Sequence, residues 1–145
     1  MAPASIESPS AAPPGAKLLP GRSALLLDDE EAILVPTATY FRSLGFAVDM
    51  AREPEEAEAL VQYSRYDLAI LDLRVTPFGG AQGLDVLREI KRREQRTSVI
   101  VLSAYISPEV EAEAWALGAD SVLSKPQSLP ALARLALGLM GEDVR

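Results

Sequence analysis

The sequence predicts a three-layer α/β sandwich: a five-stranded parallel sheet in the order 2-1-3-4-5, with five helices on its two faces. Two observations predict it. Short, unbroken apolar runs such as Leu25-Leu26-Leu27, Leu68-Ala69-Ile70-Leu71 and Val99-Ile100-Val101-Leu102 suit strands buried on both faces. Amphipathic stretches of helical period stand between them, joined by short connections. Strands that alternate with helices form parallel βαβ units. The strand order is that of the flavodoxin-like member of the doubly wound class.

A chain of 145 residues holds one domain with a real core. A hydrophobic share of 48% with 24% charged residues is globular composition. There are 14 basic and 21 acidic residues, a net charge of −7. That balance argues against direct contact with nucleic acid, which needs a basic patch. The chain has no Cys and no His, so thiolate chemistry and imidazole acid/base work are excluded. A metal here has to be hard and oxygen-bound. No apolar run approaches membrane-spanning length, and the N-terminus lacks a signal-peptide pattern. A soluble, cytoplasmic protein without a membrane partner is the expectation.

Residues 1–22 carry Pro3, Pro9, Pro13, Pro14 and Pro20 and no hydrophobic period, as expected of a flexible tail. The domain proper spans residues 23–141. Its first strand, residues 23–27, runs into Asp28-Asp29-Glu30-Glu31. Acids after a strand can start a helix, but four in a row exceed what capping needs. A helix over 31–44 follows, closed by Gly45, with Pro36 inside it as an expected kink or delay. The second strand covers 46–50. Pro54 opens a helix to about residue 64, with Ala57, Leu60 and Val61 inward. The third strand, 68–71, ends at Asp72. Residues 74–83 read as a loop. The helix from Leu84 to about residue 95 turns Leu84, Leu87 and Ile90 inward and leaves Lys91, Arg92 and Arg93 solvated. The fourth strand ends at Ser103. Pro108 starts a helix that ends at Leu117-Gly118, with Val110 and Ala114 inward and Trp115 near the rim. A short strand, 121–123, leads to Ser124-Lys125-Pro126, and a last helix runs over about 129–140. Residues 142–145 read as a tail or the start of a linker, so a longer parent protein is an expectation.

Four strand ends thus carry Asp28/Asp29, Asp72, Ser103 and Lys125. In a parallel sheet these ends share one edge, where open α/β folds bind ligands. Taken singly, Asp72 also suits a turn, Ser103 a cap and Lys125 a solvated surface position. Taken together, crowded carboxylates call for a cation. An oxygen-only cluster suits Mg²⁺, which shares its coordination with phosphate. Lys125 and Ser103 would then hold a phosphoryl group in line with an Asp72 oxygen.

The pieces LLLDDEE at 25–31, LAILDL at 68–73, VIVLSA at 99–104, LGAD at 117–120 and LSKP at 123–126 resemble the receiver domain of two-component response regulators. The resemblance covers roughly residues 23–140. It implies that Asp72 is the phosphoacceptor and that Ser103 and Lys125 contact the phosphoryl oxygens. It implies a Mg²⁺ ion held by Asp28, Asp29, Asp72 and the backbone carbonyl of Arg74, with Asp29 a direct ligand and Asp28 acting through water. The implied donor is a His on a sensor histidine kinase or phosphotransfer protein. Beyond its own phosphorylation and dephosphorylation such a domain is no enzyme. The alternative is a pseudo-receiver, a phosphorylation-independent interaction scaffold. An Asp-nucleophile phosphatase resembling haloacid dehalogenases wants a second Asp where Arg74 stands.

Two departures stand out. The segment 74–83, with Phe78-Gly79-Gly80, is longer than the family pattern, and Val122 replaces the usual aromatic before Lys-Pro. Without a ring at 122, switching is expected to use another group, such as Tyr105. Arg74 and Tyr105 are expected to shade the phosphoryl group. Finally, the last helix has Leu129, Leu132, Ala136 and Leu139 on one stripe, with Leu135 and Leu137 off it. Two readings follow: a partner face on the last two helices, for a homodimer or an output domain, or packing of Trp115 and Leu137 on adjacent helices.

Overall fold

The computed structural model describes residues 21–75 and 81–141. The expected tails at 1–22 and 142–145 lie outside the described residues, except that Gly21 forms a turn and Arg22 already belongs to the first strand. Phe78-Gly79-Gly80 also lies outside them.

The elements follow the predicted order. They are β1 (Arg22–Leu27), α1 (Glu31–Ser43), β2 (Phe46–Ala51), α2 (Pro54–Tyr63), β3 (Leu68–Asp72), β4 (Arg74–Val75), β5 (Ala81–Gln82), α3 (Leu84–Arg93), β6 (Ser98–Ser103), α4 (Pro108–Ala116), β7 (Ser121–Ser124) and α5 (Leu129–Leu139). Five of the strands form a parallel sheet in the order β2-β1-β3-β6-β7. This is the expected arrangement.

Side chains alternate across a strand, so each apolar run feeds two cores. Leu25, Leu27, Ala69, Leu71, Val99 and Val101 face the helices α2, α3 and α4. Ala24, Leu26, Leu68, Ile70, Ile100 and Leu102 face α1 and α5. Eleven of these twelve side chains are under 5% exposed, and a buried aliphatic contributes about 1.5–3 kcal/mol. On the α1 side Phe41 meets Phe46 edge-on at 5.4 Å. Helix α1 runs through Pro36, whose missing N–H takes one bond from the ladder, and the Thr37 hydroxyl donates to the Ile33 carbonyl at 2.7 Å.

Three expectations are corrected. Segment 74–83 is not all loop: Arg74 pairs with Gln82 and Val75 with Ala81 in a two-residue antiparallel ladder. Gly83 then enters α3 at φ +106°, and a Cβ there would lie 2.7 Å from Leu73 Cδ2, so glycine is required. Lys91 is not solvated. Its Nζ donates to the carbonyls of Thr97 at 2.6 Å and Gln95 at 3.1 Å and pairs with Asp120 at 3.0 Å. Asp120 also accepts from the Val99 N–H, so Lys91 ties α3 to the turn before β7. Leu137 lies in the core, 2% exposed, beside Leu132, Ala133 and Ala136. Helix α5 packs on both the sheet and α1, which takes a wider stripe than a single row. Trp115 is exposed near the rim, as expected.

Candidate functional site

Asp28 and Asp72 meet because of register. Leu26 lies opposite Ile70 and Leu27 opposite Leu71. Asp28 and Asp72 each follow by one step, and both have the parity of the α1-side core. Asp29, Asp28 and Asp72 each offer a carboxylate oxygen within 4.8 Å of the others. The Asp28 side chain is held by its own backbone, since the Glu30 N–H donates to Asp28 Oδ1 at 2.9 Å.

Lys125 reaches into this cluster from the end of β7. Its Nζ lies 3.0 Å from Asp28 Oδ2, 3.3 Å from Asp72 Oδ1 and 3.5 Å from Glu30 Oε1. The Lys125 side chain is only 10% exposed, and those of Asp28 and Asp72 are 8% exposed. Its backbone N–H donates to the Ser103 carbonyl, and the Lys125–Pro126 peptide is cis. Burial pushes the Asp72 carboxyl up from 3.8 to about 6, with the neighbouring Asp28 charge adding and Lys125 opposing. For Lys125 burial works against the charged form, but the Asp28 and Asp72 carboxylates outweigh it and raise the ammonium above its ordinary value.

An oxygen-only donor set of this size, with one carboxyl resisting ionisation, fits a small hard cation such as Mg²⁺. The same edge carries the backbone of Arg74, directly beyond Leu73.

Comparison with known proteins agrees with this fold. The family model described as the response regulator receiver domain matches residues 24–136. The chain belongs to the response regulator receiver domain family. It is 34% identical over 105 residues to the transcriptional regulatory protein QseB of Escherichia coli O157:H7, covering 72% of this chain and 47% of that one. It is 30% identical to the Francisella response regulator 1452 receiver domain, with a TM-score of 0.68, covering 83% and 98% of the two chains. It shares its fold with a CheY-like receiver domain protein from Methanospirillum hungatei JF-1, at 22% identity and a TM-score of 0.76, covering 83% and 94%. The chain spans about half or less of the length of the first curated relatives it matches.

In this receiver domain the remaining predicted residues are placed as follows. Ser103 is 2% exposed, and its hydroxyl lies 2.9 Å from the Leu73 carbonyl and 2.8 Å from the Tyr105 carbonyl. One hydroxyl proton serves one of these acceptors at a time. Tyr105 is 74% exposed. Val122, opposite Val101, packs against the core on the α2–α4 side. The Arg74 side chain turns toward the acid pair: Nη1 lies 3.2 Å from Asp29 Oδ2 and Nη2 3.0 Å from Glu53 Oε1.

Two site residues escaped the sequence reading. Glu30 was visible only as one of four acids, and Glu53 only as a residue before a helix. Their contacts to Lys125 and Arg74 cross 95 and 21 residues, and no local pattern signals them.

Proposed function

We propose that this chain is the phosphoacceptor of a two-component pathway, taking a phosphoryl group from a partner histidine kinase or phosphotransfer protein onto Asp72. The observation that carries the reading is the Lys125 ammonium, seated between Asp28 and Asp72 in a cluster of three carboxylates. An ordinary surface lysine has no reason to lie 10% exposed among acids.

Asp28, Asp29 and Asp72, with the Arg74 carbonyl, would hold Mg²⁺. When bound, that ion supplies positive charge against the phosphoryl oxygens. The chain's own residues do the rest. An Asp72 carboxylate oxygen forms the bond to phosphorus as the bond to the donor's His nitrogen breaks. Asp28, held by the Glu30 N–H, keeps the acid pair in place. Lys125 exchanges its contact with the Asp72 carboxylate for one with a phosphoryl oxygen. The Ser103 hydroxyl leaves the Leu73 or Tyr105 carbonyl to donate to another. With Val122 in place of an aromatic, no ring at that position follows the hydroxyl, and the output differs from a ring-rotation switch. The reading places the protein in the cytoplasm. Among the described residues no helix is long and apolar enough to cross a membrane.

Incubation with acetyl phosphate and Mg²⁺, followed by intact-protein mass spectrometry, tests the proposal. A single phosphoryl adduct, absent in Asp72→Asn and dependent on Mg²⁺, is expected. No adduct on the unaltered chain would instead make it an interaction scaffold.

A further inference from the structure

We infer that the Arg74 guanidinium is a built-in counter-ion of the acidic pocket, which a divalent cation must displace from Asp29 and which Glu53 retains once displaced. This deepens the reading of Asp28, Asp29 and Asp72 as a metal site and rests on it.

The charges at the site are shared between two side chains. Lys125 pairs with Asp28 and Asp72, which leaves Asp29 to Arg74. The guanidinium spans two acids, with Nη1 on Asp29 and Nη2 on Glu53. Its planar set of five donors lets it lose one carboxylate and keep the other, which a lysine ammonium does less well. Neither anchor is adrift. Arg74 is fixed at the backbone by the ladder to Gln82. Glu53 precedes α2, and its N–H donates to the Glu56 carboxylate at 3.3 Å.

The contact is also weak enough to yield. The paired side chains are 39% and 33% exposed at Asp29, and 39% and 56% exposed at Glu53, so water screens both. A divalent ion on three carboxylates outcompetes one such pair. It binds less tightly, however, than it would if Asp29 were free, because binding carries the cost of breaking that pair. Glu53 lowers this cost by giving Arg74 a place to remain. The short ladder therefore sets the pocket's affinity for metal through a side chain whose backbone it holds in place.

Isothermal titration of the full chain with MgCl₂ tests this, with thermal melts confirming that each variant is folded. Arg74→Met keeps the backbone carbonyl and the bulk of the side chain. It is expected to lower the Mg²⁺ dissociation constant about three- to fivefold, the size expected of one or two screened ion pairs. Glu53→Gln is expected to raise it about twofold in the unaltered background and to leave it unchanged when combined with Arg74→Met. Arg52→Met removes a nearby cation that pairs with Glu31 rather than Asp29 and is expected to change little. Equal tightening in Arg52→Met and Arg74→Met would overturn the inference, because it would mean a general field effect. An effect of Glu53→Gln that persists with Arg74→Met would overturn it too, as would unchanged affinity in Arg74→Met. Failure of the unaltered chain to bind Mg²⁺ would remove the metal-site reading itself, a result distinct from the other three.

Discussion

Replacing Asp72 with Asn should stabilise the fold at neutral pH and do almost nothing in acid. The Asp72 carboxyl is held at about 6 instead of 3.8, first by burial and then by Asp28, with Lys125 only partly offsetting them. A carboxyl that is harder to ionise in the folded state than in the unfolded one binds its proton more tightly when folded. Stability is therefore lost as pH rises through the window from 3.8 to about 6, and the loss is complete above it. At about 1.4 kcal/mol per pKa unit the ceiling is ~3 kcal/mol. The pocket opens at the sheet edge, and screening there brings the expected value to about 1–2 kcal/mol. Asn has nearly the same shape, and Lys125 keeps its partner Asp28 at 3.0 Å. Urea unfolding in EDTA at a series of pH values is the assay. At about pH 7.5 the Asn variant should unfold roughly 0.5–1 M later for an m-value of about 2 kcal/mol/M, and near pH 4 the two curves should coincide. Adding Mg²⁺ should narrow the gap at neutral pH, because bound cation stabilises the unaltered chain more than the variant. A gap of the same size at both pH values, or an Asn variant that is the less stable at neutral pH, would refute the reasoning.

Two further predictions concern the frame around the site. Lys91→Met should cost about 1–3 kcal/mol in urea unfolding, since it leaves the Thr97 carbonyl and Asp120 short of a donor in a largely buried place. Little change would mean that water replaces the ammonium. Leu137→Ala should cost about 2–5 kcal/mol as a core cavity, whereas Trp115→Ala on the preceding helix should stay within about 0.5 kcal/mol. The reverse ranking would restore Leu137 to the surface.

Much of this molecule was legible because strand parity and helical period are local properties of a chain. The run Leu68-Ala69-Ile70-Leu71 announces burial on both faces, and the structure divides it between the two cores, residue by alternate residue. The breaks in pattern were equally local. A helix following Asp28-Asp29-Glu30-Glu31 begins at Glu31, and the acids before it are left at the sheet edge. What failed was of another kind. A ladder of two residues is too short to show any alternation, so β4 and β5 read as loop. Lys91 stands in a run of basic residues at a helix end, where solvation is the ordinary outcome, and only the approach of Asp120 from beyond α4 makes it a tie. Leu137 was assigned by a stripe one row wide, and the number of neighbours a helix meets is a tertiary fact.

The same division explains which part of the site could be anticipated. Asp28, Asp72 and Lys125 come together, and Ser103 ends the strand between Asp72 and Lys125, through main-chain register, because parallel strands bring their carboxyl ends to one edge whatever the side chains do. Arg74 belongs to the other category. Its carbonyl position follows from the strand before it, but its guanidinium can point in many directions, and its choice of Asp29 and Glu53 depends on where the start of α2 comes to rest. Backbone register sets which groups meet at such an edge. Long charged side chains, chosen by neighbours that no sequence window contains, set which of those groups are already paired. A family pattern read along the chain therefore predicts which groups line this edge better than how their charges pair.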